Sequence, residues 1–186
     1  MASICEKLLA GDTAQASNLS RTEYPFVHPK DVKRTYNRTK ATSIFLRDGF
    51  IDRYSGTRLV FPGALVLVSR LLPDEFPYHP NWKTTETHMA YWELFPELDH
   101  MVPIARDGTD DESNLMTTSV LRNCAKANWT LEELGWNLQP AGNLRNWDGL
   151  LSWFMRYLEI NPSPLKDKYL KSWHDAAKHA PCVSRS

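Results

Sequence analysis

The sequence has too few cysteines for a disulfide framework or a cysteine zinc site. Only three cysteines occur among 186 residues, at positions 5, 124 and 182, and no two of them show the C-x-x-C spacing of a metal-binding pair. A chain of this length fits one domain and can bury a hydrophobic core without such support. We therefore expect neither a structural zinc nor a disulfide framework within the chain.

Long hydrophobic runs are also missing. The longest apolar run, residues 59–68, is interrupted by Pro62 and Gly63 and is too short to span a bilayer, which takes about 20 residues. The amino terminus breaks its only apolar stretch with Glu6 and Lys7, which makes it a poor signal peptide. We expect no association with a membrane and a cytoplasmic location.

An excess of charge of either sign is lacking as well, because the formal net charge is zero. The charges are nevertheless segregated. Between residues 30 and 58, eight Lys or Arg stand against three Asp, and between residues 86 and 112, eight acidic residues stand against one arginine. A protein that binds a polyanion and a metal cation has two such zones, and so does a protein with two solvated faces of opposite sign. Charge alone leaves both interpretations open.

What the sequence does contain is the patterning of an α+β protein with more helix than strand. Residues 1–28 show weak periodicity and predict a loosely packed N-terminal arm, and residues 29–186 predict a single domain. The domain should open with a basic helix over residues 29–46. A β-hairpin is expected over residues 50–61, and the apolar stretch 63–73 is compatible with either a buried helix or a strand.

The middle of the chain predicts a strand, a loop, a second strand and a helix, in that order. The successive segments are LDHMVP, ARDGTDDESN, LMTTS and VLRNCAKAN. Thr130 and Glu133 form a capping box before a short helix that Gly135 should end. C-terminal helices are expected within residues 146–179, the last of them with Ser163 as its N-cap.

One pair of residues in this middle segment points to chemistry. Asp99 and His100 are adjacent; a carboxylate binds a hard divalent cation, and an imidazole that is not bound to the metal accepts a proton from water. Because neighbouring side chains of a strand point to opposite faces, both reach one cleft only at a strand end or a bulge. Asn123, near the start of the following helix, is in range to add an amide oxygen.

The pattern of these residues resembles the HNH endonucleases and their ββα-metal motif. The motif core would cover residues 97–128, with helices on either side, and the upstream segment FLRDGFIDRYSG is similar to RDGFxCxYCG, which precedes the motif in many members. The matching residues are Asp99, His100, Pro103, Asp107, Gly108, Asn114, Leu115, Asn123 and Lys126.

The resemblance implies a role for each matching site residue. His100 would be the general base that activates water, and Asp99 and Asn123 would bind one divalent metal ion, Mg²⁺ first, with Mn²⁺ or another ion as alternatives. Asn114, which we group with the catalytic residues, would hold the loop between the strands through its amide. Pro103 and Gly108 would shape that loop.

The sequence departs from the family where many members bind a structural zinc. Asp52 and Ser55 stand at the places of the first cysteine pair, and Ser119 and Arg122 at those of the second. The loss of all four cysteines indicates that this chain dispenses with the zinc. We expect an ion pair between Asp52 and Arg122 to join the two segments instead.

The function expected from the resemblance is metal-dependent hydrolysis of DNA phosphodiester bonds, most simply in double-stranded DNA. A homodimer would suit a palindromic target. The alternative is a non-catalytic nucleic-acid-binding module that keeps the ββα-metal shape. The neutral net charge and the lost zinc ligands favour this alternative. Cutting of RNA and action as a toxin domain also remain open.

Overall fold

The computed structural model describes residues 1–26 and 37–180, and the chain divides into two compact units, Met1–Val32 and Lys33–Ser186. Helices α1 (Ala2–Leu9) and α2 (Thr13–Glu23) form the described part of the first unit. The side chain of Asp12 accepts a hydrogen bond from the amide of Gln15 and caps α2. Within the predicted N-terminal arm, a turn at Gly11 and this cap thus connect two helices that pack together.

The second unit is α+β and contains more helix than strand, as predicted. Residues 29–36 of the predicted basic helix lie outside the described residues, and the described helix begins only at Arg38. The elements of this unit are α3 (Arg38–Arg47), α4 (Pro62–Leu71), α5 (Ala90–Leu94), β1 (Pro96–His100), β2 (Leu115–Ser119), α6 (Val120–Lys126), α7 (Leu131–Leu134), α8 (Leu151–Ile160) and α9 (Lys168–His179).

Strands β1 and β2 pair in antiparallel register, with Pro96 opposite Ser119 and His100 opposite Leu115. The loop between them contains two short 3₁₀ turns, and α6 begins directly after β2. The predicted order of strand, loop, strand and helix is confirmed. The capping box of Thr130 and Glu133 is also present at α7.

The predicted hairpin over residues 50–61 is reduced to one antiparallel bridge between Ile51 and Arg58. The backbone explains the difference, because the amide of Arg53 donates to the carbonyl of Thr117 in β2 instead of to a hairpin partner, at 2.9 Å. The adjoining apolar stretch is a helix, α4, with Pro62 in its first turn and most of its residues buried. Pro at that position favours a helix start because it has no amide hydrogen to leave unpaired.

The core of the second unit is aromatic and is closed by the C-terminal helices. The ring of Phe61 lies 5.3 Å from that of Phe154 in α8 and 5.5 Å from that of Trp173 in α9, measured between centroids. The last helix is capped by Asp167, whose carboxylate accepts from two backbone amides. The prediction of Ser163 as the cap is wrong, since Ser163 opens a separate 3₁₀ turn.

Among residues 1–26 and 37–180, no helix has the length and apolar character needed to cross a membrane.

Asp52 joins the segment after α3 to the end of β2. Its carboxylate is fully buried; one oxygen accepts from the amide and the hydroxyl of Ser119, at 3.0 and 2.7 Å. The other oxygen accepts from the amides of Tyr54 and Ser55 and from the hydroxyl of Thr118. Five hydrogen bonds satisfy a buried carboxylate without a cation beside it.

The expected ion pair between Asp52 and Arg122 is wrong. The guanidinium of Arg122 lies over the ring of Trp136, 5.5 Å from its centroid, and only the backbone amide of Arg122 reaches the cluster, by donating to Ser119 Oγ at 3.2 Å. Hydrogen bonds thus bring together the four positions where the family resemblance places zinc ligands.

We predict that Asp52→Asn destabilises the protein strongly, whereas Arg122→Ala does not. The amide nitrogen of Asn would face donors in place of an acceptor, and leaving buried donors unpaired costs about 3 kcal/mol in total. Loss of an exposed cation–π contact costs about 1 kcal/mol at most. The measurement is the free energy of unfolding in denaturant. An Arg122→Ala variant as unstable as Asp52→Asn would contradict this account.

Candidate active site

The candidate site is built on one face of β1 and the helix that follows β2. Glu97 and Asp99 are two residues apart in the strand and therefore share a face, and Asn123 and Lys126 are three apart in α6 and share a face of that helix. The two faces meet in two contacts. Asn123 Nδ2 donates to Glu97 Oε2 at 2.8 Å, and Lys126 Nζ lies 2.8 Å from Asp99 Oδ2.

One oxygen of the Asp99 carboxylate has two partners, a hydroxyl and an ammonium. Besides Lys126, the hydroxyl of Tyr54 donates to Oδ2 at 2.7 Å. Burial, and then the charge of Asp99, raise the pKa of Tyr54 well above its usual range. The hydroxyl therefore keeps its proton and remains a donor at every pH at which the protein would be assayed.

Lys126 is a buried cation, not a surface lysine. Its side chain is 0% exposed, its Nζ also donates to the carbonyl oxygen of His100 at 2.8 Å, and the ammonium lies 5.7 Å from the ring centroid of Tyr54. This buried amine does not reach a phosphate in this conformation. The lysine instead ties α6 to the end of β1.

His100 stands at the last position of β1 and is 3% exposed. Its Nε2 lies 2.7 Å from an oxygen of Asp110, a loop residue whose side chain is 59% exposed. Asp99 and His100 thus have different side-chain partners. The convergence of Asp99, His100 and Asn123 on one ion remains a prediction.

Asn114 fixes the loop between the strands. Its Oδ1 accepts from the amide of Val102 at 2.9 Å, and its Nδ2 donates to the carbonyls of Val102 and Thr109 at 2.9 and 2.8 Å. This is the contact that the family resemblance implies for the residue. Gly108 is needed in the same loop because a Cβ there would collide with the carbonyl of Val102.

The side chains present fit a hard divalent ion. Carboxylate and amide oxygens are the ligands that Mg²⁺ accepts, and this ion typically binds one or two carboxylates and keeps several waters. Glu97, Asp99 and Asn123 supply such a set on neighbouring contacts. Within the described parts of the chain, no three His, Cys, Asp or Glu side chains form a cluster that would hold a metal ion by themselves, so water and phosphate oxygens would complete the coordination.

Three residues near the site were missed by the sequence interpretation, namely Glu97, Tyr54 and Asp110, and the contact of Lys126 with Asp99 was not expected. The spacing of Glu97 from Asp99, and of Lys126 from Asn123, was a usable signal, because it places each pair on one face. For Tyr54, the sequence showed only that the residue lies in the upstream segment FLRDGFIDRYSG. Nothing in the loop sequence distinguished Asp110 from its acidic neighbours.

One arginine of the basic zone between residues 30 and 58 packs against the C-terminal helix. The guanidinium of Arg38 lies 4.8 Å from the ring centroid of Tyr169 and 5.2 Å from that of Trp173. Arg38 therefore packs on α9, and this contact favours a structural role for it.

No protein-family model, curated protein or solved structure matches this chain. The resemblance to HNH endonucleases consequently rests on the residues of the motif and on their placement.

We predict that Asn114→Asp destabilises the protein by about 2 kcal/mol or more. The new carboxylate oxygen would face the carbonyls of Val102 and Thr109, which would lose their donor, and a buried group left unpaired costs about 1–3 kcal/mol. The same change at Asn128, which is exposed, is the matched control and should be nearly neutral. Equal melting temperatures for the two variants would refute the structural role of Asn114.

Proposed function

We propose that this protein is a metal-dependent endonuclease of the HNH type that hydrolyses phosphodiester bonds in DNA. The observation that supports the proposal most is the pair of contacts between β1 and α6, which puts two carboxylates and an amide on facing surfaces of these elements. The order of the segments and the contacts of Asn114 agree with it.

In this proposal each residue has one task. Asp99 and Asn123 hold a divalent ion, with Glu97 as a third oxygen ligand nearby. When bound, such an ion stabilises negative charge on phosphate and leaving-group oxygens. His100 accepts the proton of the attacking water through Nε2, which in the structure is occupied by Asp110. Because the side chain of Asp110 is mostly exposed, its rotation away from the ring admits water without disturbing the core.

A second candidate function is a binding module without turnover. The burial of His100 favours it, because a general base must contact water. Against it stands the presence of Asp99, His100 and Asn123 together, since a protein that only binds nucleic acid needs none of these at such positions.

We predict that the purified protein nicks supercoiled plasmid DNA with Mg²⁺ or Mn²⁺, that a chelator stops the reaction, and that His100→Ala slows it at least about 100-fold. General-base catalysis contributes about 10²–10⁴ in rate. His88→Ala is the control, because His88 stacks on Phe76 and has no task in the proposed reaction, so its loss should leave the rate unchanged.

The second candidate would be supported by either of two results. One is a His100→Ala variant that nicks as fast as the wild type. The other is a wild-type protein that binds plasmid but does not nick it with any divalent metal.

A further inference from the structure

The two oxygens of the Asp99 carboxylate have different contacts. Tyr54 and Lys126 both bind Oδ2, at 2.7 and 2.8 Å. Among the described residues, no hydrogen bond is made to Oδ1. The two oxygens of one ligand candidate are thus in different situations, one fixed by a hydroxyl and a buried ammonium and the other open to a further partner.

We propose that Tyr54 and Lys126 are positioning residues that hold Asp99 through Oδ2, so that Oδ1 alone is offered to a divalent ion and the site selects Mg²⁺ or Mn²⁺ over Ca²⁺. This inference rests on the proposed function, because it assumes that Asp99 is a metal ligand. It adds what the family resemblance does not supply, namely how this chain restricts the way its carboxylate binds.

The selectivity follows from the coordination habits of the ions. Ca²⁺ takes six to eight oxygen ligands and readily binds a carboxylate through both oxygens, whereas Mg²⁺ requires a near-ideal octahedron and usually keeps several waters. For Asp99 to bind through both oxygens, Oδ2 would have to give up the hydroxyl and the ammonium. A site in which each ligand offers a single oxygen therefore loses more binding free energy for Ca²⁺ than for Mg²⁺.

The surroundings make Oδ2 difficult to release. The side chain of Lys126 is 0% exposed and that of Asp99 is 11% exposed. Separating the pair would leave a buried ammonium whose remaining hydrogen bond, among the described residues, is to the carbonyl of His100. Tyr54 is fixed in turn, since its backbone amide donates to the carboxylate of Asp52 at 2.9 Å. The hydroxyl of Tyr54 and the ammonium of Lys126 thus approach Asp99 from two separately anchored segments.

The test uses Tyr54→Phe in the full chain, which removes the hydroxyl and keeps the ring. Binding of Mn²⁺ is measured from the electron paramagnetic resonance signal of the free ion, and binding of Ca²⁺ by its competition with Mn²⁺. The matched control is Tyr91→Phe, which removes a buried hydroxyl that bonds Ser69 and lies in the core instead of at the site. Asp99→Asn identifies the Mn²⁺ that is bound at the site.

We expect Tyr54→Phe to weaken Mn²⁺ binding about 10-fold or more, the usual cost of losing a partner of a metal ligand. We also expect the preference for Mn²⁺ over Ca²⁺ to fall, while Tyr91→Phe leaves both unchanged. A merely structural role of Tyr54 would weaken binding of both ions alike, and an unchanged ratio of the two dissociation constants would overturn the proposal.

The outcomes separate this inference from the proposed function. A wild type that binds Mn²⁺ with the expected response to Tyr54→Phe but never nicks DNA would support the inference and refute the nuclease. A wild type that nicks, with the same ion preference in Tyr54→Phe, would refute the inference and support the nuclease. Absence of any Mn²⁺ binding that Asp99→Asn removes would overturn the inference outright.

Discussion

The buried carboxylate of Asp52 is the interaction on which the site depends. It ties the segment after α3 to Ser119, and Ser119 is at the same time the N-cap of α6. The orientation of α6 decides where Asn123 and Lys126 meet β1. Through the amide of Tyr54, Asp52 also fixes the residue whose hydroxyl reaches Asp99. One carboxylate therefore positions both the segment that contains Tyr54 and the start of α6 relative to β1.

A second buried carboxylate strengthens the same connection. Asp48 accepts from the backbone amide of Thr117 in β2 and from the guanidinium groups of Arg47 and Arg53. Arg47 also donates to the carbonyls of Glu112 and Leu115, so the start of β2 is bound to the end of α3. Charge-assisted hydrogen bonds of this kind are directional and roughly twice as strong as neutral ones. They substitute for the rigidity that a metal clamp gives to a small fold.

The sequence predicted the elements of the site better than the contacts between its side chains. The extended segment LDHMVP, the turn residues that follow and the threonine-rich LMTTS were sufficient to predict two strands in order, although β1 runs over Pro96–His100. The family resemblance was sufficient to expect the contacts of Asn114 with the loop. Spacing does not specify which of several polar side chains pair in three dimensions. For that reason the expected partner of Asp52 was an arginine, whereas the structure provides hydroxyl and amide donors.

The other errors have equally specific causes. The hairpin over residues 50–61 was expected because its two halves favour strands, yet the backbone of Arg53 bonds to β2. The N-terminal helices were missed since their apolar periodicity is weak and the Asp12 cap is a single residue. Asp167 and Ser163 are both suitable N-caps, and only the packing of α9 on the core decides between them.

Because Lys126 is completely buried, its amine is inaccessible to reagents in the folded protein. Acylating reagents modify the exposed lysines of a folded protein rapidly, but they would reach this amine only when α6 separates from β1. Its rate of labelling would therefore report local opening of the strand–helix contact, independently of any substrate. The chain thus contains an internal probe of whether the structure around Asp99 is intact.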